Sequence, residues 1–304
     1  MAKRDFLAIS DLDAPTMQQL IRRGVEVKRE WKEGRGKTPC TGKVLGLLFH
    51  KPSLRTRVSF DVGMAQLGGH SIYLTDQEIG MGTREAIQDV GKVLARFLDV
   101  LMIRTFAHEN AVKLARHAPI PVINGLTDLL HPCQVMADLM TVLEHRGSLD
   151  SMVVTWLGDG NNVAHSWINA AGLLPFELRL AVPKGYEPDG AIVSAARARG
   201  AGKIDVTHDP AAAAEGADVL CTDTWASMGQ EKEHEERARV MKPFQLNAAL
   251  LARAKKDSLV LHCLPAHRGE EITDEVMDGP HSVVYDEAEN RLHAQKAILE
   301  WLLS

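Results

Sequence analysis

The sequence of 304 residues contains no long apolar run. No segment reaches the ~18 consecutive apolar residues that a membrane-spanning helix needs. The first residues, MAKRDFLAISDLD, include two basic side chains but no apolar stretch behind them, so we do not expect them to act as a secretory leader. Internal repeats are absent as well. We therefore expect a soluble, cytoplasmic, globular protein that does not associate with membranes.

The sequence also has no excess of positive charge. Its 35 lysines and arginines are outnumbered by 40 aspartates and glutamates, which gives a formal net charge of −5. A chain of this charge has no long-range attraction for nucleic acids or anionic lipid surfaces. We therefore exclude nucleic acid as a partner, and we expect basic side chains to matter only where they are concentrated locally.

Cysteine is scarce in this chain. The four cysteines are Cys40, Cys133, Cys221 and Cys263, and none of them belongs to a CxxC pair. Widely spaced single cysteines are typical of proteins in a reducing compartment. The sequence therefore predicts free thiols and no disulfide bond.

What the sequence does contain is a regular alternation of short apolar runs and amphipathic stretches. This alternation is typical of βαβ units that build a parallel sheet. A polar segment, Arg146–Ser151, interrupts the alternation and separates two series of strands. The predicted strands of the first series are Val44–Phe49, Ser71–Leu74, Val100–Ile103 and Pro121–Ile123, and those of the second are Val153–Leu157, Leu178–Val182, Ile204–Val206, Val219–Cys221, Leu259–Leu261 and Val283–Tyr285.

The two series predict an α/β protein with two doubly wound parallel-sheet domains, residues 1–147 and 148–290, and an active-site cleft between the domains. The last stretch, Leu292–Leu303, is strongly apolar and its apolar residues have helical spacing, so we expect a helix that packs against a folded domain. We expect this C-terminal helix, residues 291–304, to cross back and pack on the first domain.

A basic motif follows the first predicted strand directly. It reads KPSLRTR from Lys51 to Arg57 and precedes a predicted helix. Backbone amides at a helix N-terminus, together with guanidinium groups, bind phosphate. Arg55 and Arg57 are two residues apart and cannot share one helical face, so we expect Arg55 to grip the anion and Arg57 to brace the loop. The alternative interpretation is a solvated basic turn.

Further polar residues follow the other strands of the first series. Arg104 comes after the third strand, and His131 and Gln134 lie at the start of the helix after the fourth. The carboxyl ends of parallel strands share one edge of a sheet, so these residues should lie near the basic motif. Such a group suits a small acid phosphate whose other end needs hydrogen bonds rather than charge. Taken alone, His131 could instead be a helix cap or a structural histidine.

The second half contains two polar turns after strands. Gly158–Asn162 reads GDGNN and lacks the GxGxxG spacing, so the sequence does not predict a dinucleotide cofactor. Asp223 and the segment Ser227–Gly229 follow a later strand. A carboxylate and backbone groups there suit the ammonium and carboxylate of an amino acid, although an ordinary polar loop is the alternative.

A thiol stands where the Leu259–Leu261 strand ends. Cys263 belongs to the segment HCLPAHRG, and its neighbours His262, His267 and Arg268 would lower the pKa of the thiol if they lay beside it. Two alternatives remain open: Cys263 could be a small buried hydrophobe, or His262, Cys263 and His267 could bind zinc, although a fourth ligand at suitable spacing is missing.

Taken together, these segments resemble the ornithine carbamoyltransferase family over nearly the whole chain. The matching motifs are SLRTR at 53–57, HPCQ at 131–134, GDGNN at 158–162, DTWASMG at 223–229 and HCLPAHRG at 262–269. SxRTR and HPxQ mark carbamoyltransferases generally. The D-x-x-x-SMG pattern with HCLP is similar to the ornithine-specific branch and is the more specific signal.

The resemblance implies that residues 1–147, with helix 291–304, bind carbamoyl phosphate and that residues 148–290 bind L-ornithine. Carried over by motif, the carbamoyl phosphate-binding residues are Ser53, Leu54, Arg55, Thr56, Arg104, His131, Gln134, Cys263, Leu264 and Arg291. The ornithine-binding residues are Asn162, Asp223, Ser227 and Met228. The catalytic residues among these are Cys263, Asp223, His131 and Arg104.

The resemblance also implies a reaction. The δ-amine of ornithine attacks the carbonyl carbon of carbamoyl phosphate, and the products are L-citrulline and phosphate. No metal ion or organic cofactor takes part. The family assembles as a homotrimer or a multiple of trimers and works in arginine biosynthesis or, in reverse, in catabolism.

Two positions depart from the family pattern. Leu54 replaces the usual threonine of S-T-R-T-R, and Gly80, in the loop Thr75–Arg84, stands where many members have glutamine. The same loop has no lysine, which argues against the aspartate-specific branch. Two other functions stay open: a carbamoyltransferase that acts on putrescine or another amine, and a binding or regulatory protein that kept the fold without turnover.

Overall fold

The structure is a computed structural model that describes residues 3–226 and 233–304. It divides into two compact units, the first formed by Met1–Met140 with Glu289–Ser304 and the second by Thr141–Ala288. Among the described residues, no helix combines the length and the apolar character that crossing a membrane requires.

Strands and helices alternate along the described chain. The strands are β1 (Val44–Phe49), β2 (His70–Thr75), β3 (Val100–Arg104), β4 (Val122–Leu126), β5 (Val153–Leu157), β6 (Glu177–Ala181), β7 (Lys203–Thr207), β8 (Val219–Thr222) and β9 (Leu259–His262). The helices are α1 (Ala14–Lys32), α2 (Leu54–Gln66), α3 (Asp76–Ile79), α4 (Ile87–Leu94), α5 (His108–His117), α6 (Pro132–Arg146), α7 (Asn162–Ala171), α8 (Gly190–Arg199), α9 (Pro210–Ala214), α10 (His234–Met241), α11 (Ala248–Leu251), α12 (Asp274–Met277) and α13 (Val284–Leu303).

The first unit is built on a parallel sheet with the strand order β2-β1-β3-β4. The apolar runs of β1, β3 and β4 are almost entirely buried, as expected for a sheet covered on both faces. In the register of the sheet, Phe49 pairs with Arg104 and Arg104 pairs with Leu126. The carboxyl ends of β1, β3 and β4 therefore lie side by side at one edge.

The second unit is built on another parallel sheet, with the order β7-β6-β5-β8-β9. Leu157 pairs with Thr222, and Thr222 pairs with His262, so β5, β8 and β9 also end together. Leu157, Leu220 and Val260 pack in a buried apolar cluster with residues of the surrounding helices and loops. This core holds the three strand ends, and the loops that follow them, in fixed positions.

The prediction of two α/β domains with parallel sheets is confirmed. One predicted strand is wrong, because Val284 and Tyr285 belong to the first turn of α13 rather than to a strand. Next to Val260 the chain forms only an isolated bridge at Ser282 and then turns into the helix. An apolar run of three residues favours strand and helix alike, and here the acidic residues Asp286 and Glu287 suit a helix N-terminus.

The C-terminal helix is longer than the sequence predicted, since α13 begins at Val284. From Glu289 onward its residues belong to the first unit. There Arg23 forms an ion pair with Glu300, with 2.7 Å between Nε and Oε2, and Lys28 donates a hydrogen bond to Asn290 at 2.8 Å. These contacts join α13 to α1.

Candidate active site

In the first unit, the SLRTR motif occupies the start of α2. Ser53 is the N-cap, and its Oγ accepts a hydrogen bond from the backbone N–H of Thr56 at 3.3 Å. Serine is preferred at this position because its hydroxyl satisfies one of the unpaired amides of the first turn. The remaining amides and the helix dipole make this N-terminus suitable for an anion.

A buried polar network joins α2 to α6 and α13. Thr56 Oγ1 accepts hydrogen bonds from Arg291 at 3.0 Å and from Arg104 at 3.5 Å. The guanidinium of Arg291 also donates to Gln134 Oε1 at 2.7 Å. All four side chains are more than nine-tenths buried. Two guanidinium groups are thus held at the carboxyl edge of the sheet, next to the N-terminus of α2.

His131 lies directly before α6 and is buried. Burial and the neighbouring guanidiniums of Arg291, Arg104 and Arg55 lower the pKa of His131 well below its ordinary value of 6.5. The imidazole is therefore neutral at neutral pH, and it can form a hydrogen bond without adding a positive charge. A neutral histidine among three arginines suits a ligand that has a phosphate at one end and a carbonyl at the other.

The two arginines of the motif have different surroundings. Arg55 is half-buried in the first turn of α2 and contributes to the positive field at His131. Arg57 is exposed, and its guanidinium lies over the ring of Tyr73 at 4.0 Å from the centroid. The stacking ties α2 to β2.

The two departures from the family pattern have clear structural settings. Leu54 is the first residue of α2, and its side chain is 76% exposed. Gly80 ends α3 with a φ of 59°, and a Cβ at this position would lie 2.8 Å from Cβ of Arg84. Glycine therefore suits the left-handed turn at residue 80 better than a glutamine would.

In the second unit, the carboxylate of Asp223 lies just after β8 and is held by neighbouring donors. Its Oδ1 accepts from the thiol of Cys263 at 3.0 Å and from the backbone N–H of Thr224 at 2.8 Å. Its Oδ2 accepts from the side-chain amide of Asn161 at 2.8 Å. The carboxylate is thus fixed in orientation while remaining only partly buried.

Asn161 is a site residue that the sequence analysis did not assign. It is the N-cap of α7, where its Oδ1 accepts from the amides of Val163 and Ala164 at 3.0 and 3.2 Å. The predicted ligand Asn162 is the first residue of the helix and is half-buried. An asparagine directly before an apolar helix is a recognisable cap signal that would have identified Asn161.

Arg237 was also missed. Its guanidinium donates to Asp159 at 2.8 Å and to the carbonyl of Trp225 at 3.1 Å. Burial raises the pKa of Asp159, and the charge of Asp223 raises it further, while Arg237 opposes both. Arg237 thus supports the loops after β5 and β8, but it lies in a polar helix stretch that carries no sequence signal for this role.

The turn after β9 is held by His262. Its Nδ1 accepts from the backbone N–H of Leu264 at 2.9 Å, and its Nε2 donates to Glu271 Oε1 at 3.0 Å. Leu264 has a φ of 56°, which is uncommon for a residue with a side chain. The predicted ornithine-binding residues Ser227 and Met228 lie outside the described residues.

Of the basic side chains predicted beside Cys263, the imidazole of His262 does lie near the thiol, with a ring nitrogen within 4.8 Å of Sγ, whereas the guanidinium of Arg268 is paired elsewhere. Arg268 donates to Asp274 and Asp278, at 2.8 and 2.6 Å, and so neutralises those carboxylates instead. The thiol donates to Asp223. These pairings depend on where the residues after β9 fold back, which the spacing within HCLPAHRG does not reveal.

His262, Cys263 and His267, the alternative zinc ligands suggested by the sequence, do not lie together. Among the described residues, ligand atoms of Cys263 and His262 group with Asp223, whereas His267 groups with Glu270 and Glu271.

The chain matches known proteins over its full length. The family model "Aspartate/ornithine carbamoyltransferase, carbamoyl-P binding domain" matches residues 4–144, and the corresponding "Asp/Orn binding domain" matches residues 150–302. The ornithine carbamoyltransferase of Syntrophus aciditrophicus is 51% identical over 301 residues, with 99% of this chain and 100% of that protein covered. The Brucella suis enzyme of the same name is 53% identical over 300 residues, covering 99% and 96%.

Solved structures agree with these sequence matches. The ornithine carbamoyltransferase from Pyrococcus furiosus has a TM-score of 0.95 and 47% identity, with 98% of this chain and 96% of that chain covered. The structure from Thermus thermophilus has a TM-score of 0.90 and 44% identity, with 99% of each chain covered.

Proposed function

The chain belongs to the aspartate/ornithine carbamoyltransferase family, and on that premise we propose that it transfers the carbamoyl group of carbamoyl phosphate to the δ-amine of L-ornithine. The products are L-citrulline and phosphate. The observation that carries this proposal is the fixed Asp223 carboxylate, which lies 3.0 Å from the thiol of Cys263 where β8 and β9 end together. A carboxylate held in this way can orient an amine nucleophile.

We propose that residues 1–147, with helix 291–304, bind carbamoyl phosphate. The residues in this role are Ser53, Leu54, Arg55, Thr56, Arg104, His131, Gln134 and Arg291, with Cys263 and Leu264 contributed by the chain after β9. The amides at the start of α2 and the guanidinium of Arg55 receive the phosphate, and Gln134 receives the carbamoyl amide. This assignment is supported by the buried network of Thr56, Arg291 and Gln134.

We propose that residues 148–290 bind L-ornithine through Asn162, Asp223, Ser227 and Met228. Asn161 joins this set as a positioning residue because it holds Asp223 from the side opposite the thiol.

The chemical step needs a neutral amine and a polarised carbonyl. The amine of free ornithine has a pKa of roughly 10.4, so the site must favour the form that has lost one proton. Once neutral, the nitrogen forms a bond to the carbonyl carbon and negative charge collects on the carbonyl oxygen. His131, Arg104 and Thr56 stabilise that charge. The bond to the leaving phosphate then breaks, and the phosphate takes the proton that the attacking nitrogen still has to lose to become the N–H of citrulline. His131 can serve as a donor throughout because its lowered pKa keeps it neutral.

We further propose that the enzyme acts in the cytoplasm as a homotrimer or a multiple of trimers. Its place would be arginine biosynthesis or, in the reverse direction, catabolism. These assignments rest on the family and on the chemistry of the product.

The proposal is tested by a colorimetric citrulline assay that compares ornithine, putrescine, aspartate and N-acetylornithine in parallel. We expect turnover with ornithine and none above background with the other three. Preferential turnover of putrescine would show that the chain is a carbamoyltransferase for putrescine rather than ornithine. No turnover with any acceptor would favour a binding or regulatory protein.

A further inference from the structure

A second group of ligand-type side chains lies in the second unit and includes neither Asp223 nor Cys263. His234, the first residue of α10, places its Nε2 3.1 Å from Glu270 Oε2. His267 places its Nδ1 3.9 Å from Glu270 Oε2 and 3.9 Å from Glu271 Oε2. Ligand atoms of His267, Glu270 and Glu271 thus all lie within 4.8 Å of one another, and His234 adjoins this group through its contact with Glu270.

One of these carboxylates is buried without full hydrogen bonding. The side chain of Glu271 is 0% exposed. Its Oε1 accepts from His262 Nε2 and from the backbone N–H of His267. Its Oε2 has no hydrogen-bond partner among the described residues and lies 3.9 Å from Nδ1 of His267. A buried carboxylate oxygen without a donor is costly, and a bound cation would remove that cost.

The spacing of the ligand atoms suits a small transition-metal ion. Tetrahedral Zn²⁺ with bonds of about 2.0–2.2 Å places its ligand atoms about 3.3–3.6 Å apart. The separations of 3.1 and 3.9 Å lie on either side of that range. Imidazole nitrogens favour zinc and its neighbours over Mg²⁺ and Ca²⁺, which prefer oxygen ligands only.

We propose that His234, His267, Glu270 and Glu271 form a binding site for Zn²⁺. The ion would link α10 to the loop after β9 and would use neither Cys263 nor Asp223. The site is therefore separate from the thiol group of the candidate active site, and it takes no part in the proposed reaction.

The test must keep these two groups apart, so all binding is measured in full-length protein with the Cys263→Ser substitution. The metal-free protein is titrated with Zn²⁺ by calorimetry and with Co²⁺ by absorption spectroscopy. His234→Asn and His267→Asn each remove one proposed ligand. His208→Asn is the matched control, because His208 is a half-exposed histidine that lies 3.7 Å from the carboxylate of Glu187 elsewhere in the same unit. Circular dichroism of the metal-free variants confirms that each one folds.

We expect one Zn²⁺ per chain, with the affinity at least about tenfold lower in each of the two ligand variants and unchanged in the His208 control. Zinc should also raise the melting temperature of the parent protein and raise it less in the ligand variants. The absence of stoichiometric binding in the Cys263→Ser protein would overturn the proposal. Equal affinity in all variants would overturn it as well.

Discussion

At the scale of single residues, the orientation of the Asp223 carboxylate is set by its hydrogen-bond partners. Donors from Cys263, Thr224 and Asn161 occupy both of its oxygens. An amine that approaches this group therefore meets a carboxylate already fixed in orientation, so the side chain does not have to be ordered when the amine binds.

The Asp223→Asn variant tests this role. We expect kcat to fall about 10²- to 10⁴-fold because the neutral amide cannot position the amine or assist its loss of a proton. The KM for carbamoyl phosphate should change little, since the proposed phosphate ligands of the first unit are untouched. Steady-state kinetics with both substrates varied would measure the two effects. Asp205→Asn, on the edge strand β7, is the control, and an unaltered kcat in Asp223→Asn would remove this residue from the mechanism.

Leu54 offers a second test at the residue scale. Its exposed side chain stands at the start of α2, where a threonine would add a hydroxyl beside the proposed phosphate position. We expect Leu54→Thr to lower the KM for carbamoyl phosphate about two- to tenfold, the effect of one added hydrogen bond. Val93→Thr on α4, at a residue that is 48% exposed, is the control, and a KM as high as that of the parent would show that residue 54 does not reach the phosphate.

At the scale of elements, α13 contributes both a site residue and unusual core residues. It places Arg291 in the buried network, and two further polar residues, His293 and Lys296, are almost completely buried on the same helix. Burial lowers the pKa of His293 to about 4, with the charge of Lys296 acting in the same direction. Burial likewise lowers the pKa of Lys296 to about 8. The packing of α13 thus favours the neutral form of His293.

This packing predicts a loss of stability in mild acid. Below its ordinary pKa of 6.5, His293 takes up a proton in the unfolded chain but not in the folded protein until the pH falls to about 4. The free energy of unfolding should therefore decrease as the pH falls through this window. In His293→Gln the decrease between about pH 7 and about pH 4.5 should be smaller by about 2 kcal/mol.

Urea unfolding at the two pH values measures this difference. His131 has its pKa lowered in the same direction, but it is present in both proteins and its effect cancels in the comparison. If the variant and the parent lost stability in parallel, the buried neutral state of His293 would be ruled out as a cause.

At the scale of the whole molecule, one face of the first unit is unusually apolar. Leu54, Val58 and Val62 follow one another at four-residue spacing along α2 and are 76%, 48% and 39% exposed. Ile72, on the edge strand β2, is 47% exposed. Apolar side chains grouped on one helix face beside a sheet edge are typical of a surface that another chain covers.

A charge at this surface should weaken the proposed trimer. With a chain mass of 33.4 kDa, three copies give about 100 kDa. We expect light scattering to report this mass for the parent protein and a smaller one for Val58→Glu, because the carboxylate would lose its water on assembly. Val93→Glu on α4 is the matched control, since Val93 and Val58 are both 48% exposed. A parent mass of one chain would contradict the proposed trimer, and a trimer that survives Val58→Glu would place its interface elsewhere.

The parallel sheets and the strand ends that hold the site were predictable because they depend on short-range patterns. The apolar runs of β1, β3, β5, β8 and β9 and the polar residues directly after them are visible in the printed sequence. The error at Val283–Tyr285 came from a run too short to distinguish a strand from the first turn of a helix. The role of Arg237 was not predicted because its partner Asp159 is distant in sequence.

The sequence by itself determined the alternation of strands and helices, the basic motif at the start of α2 and the order of polar residues at the sheet edges. These features follow from the shape and bonding of neighbouring residues. Only the tertiary structure decided which polar groups meet: Arg291 bonds Gln134 across 157 positions of the chain, and Cys263 bonds Asp223 across 40. The physical reason is that such partners are selected by the register of the sheets and by the docking of α13, which no local pattern encodes.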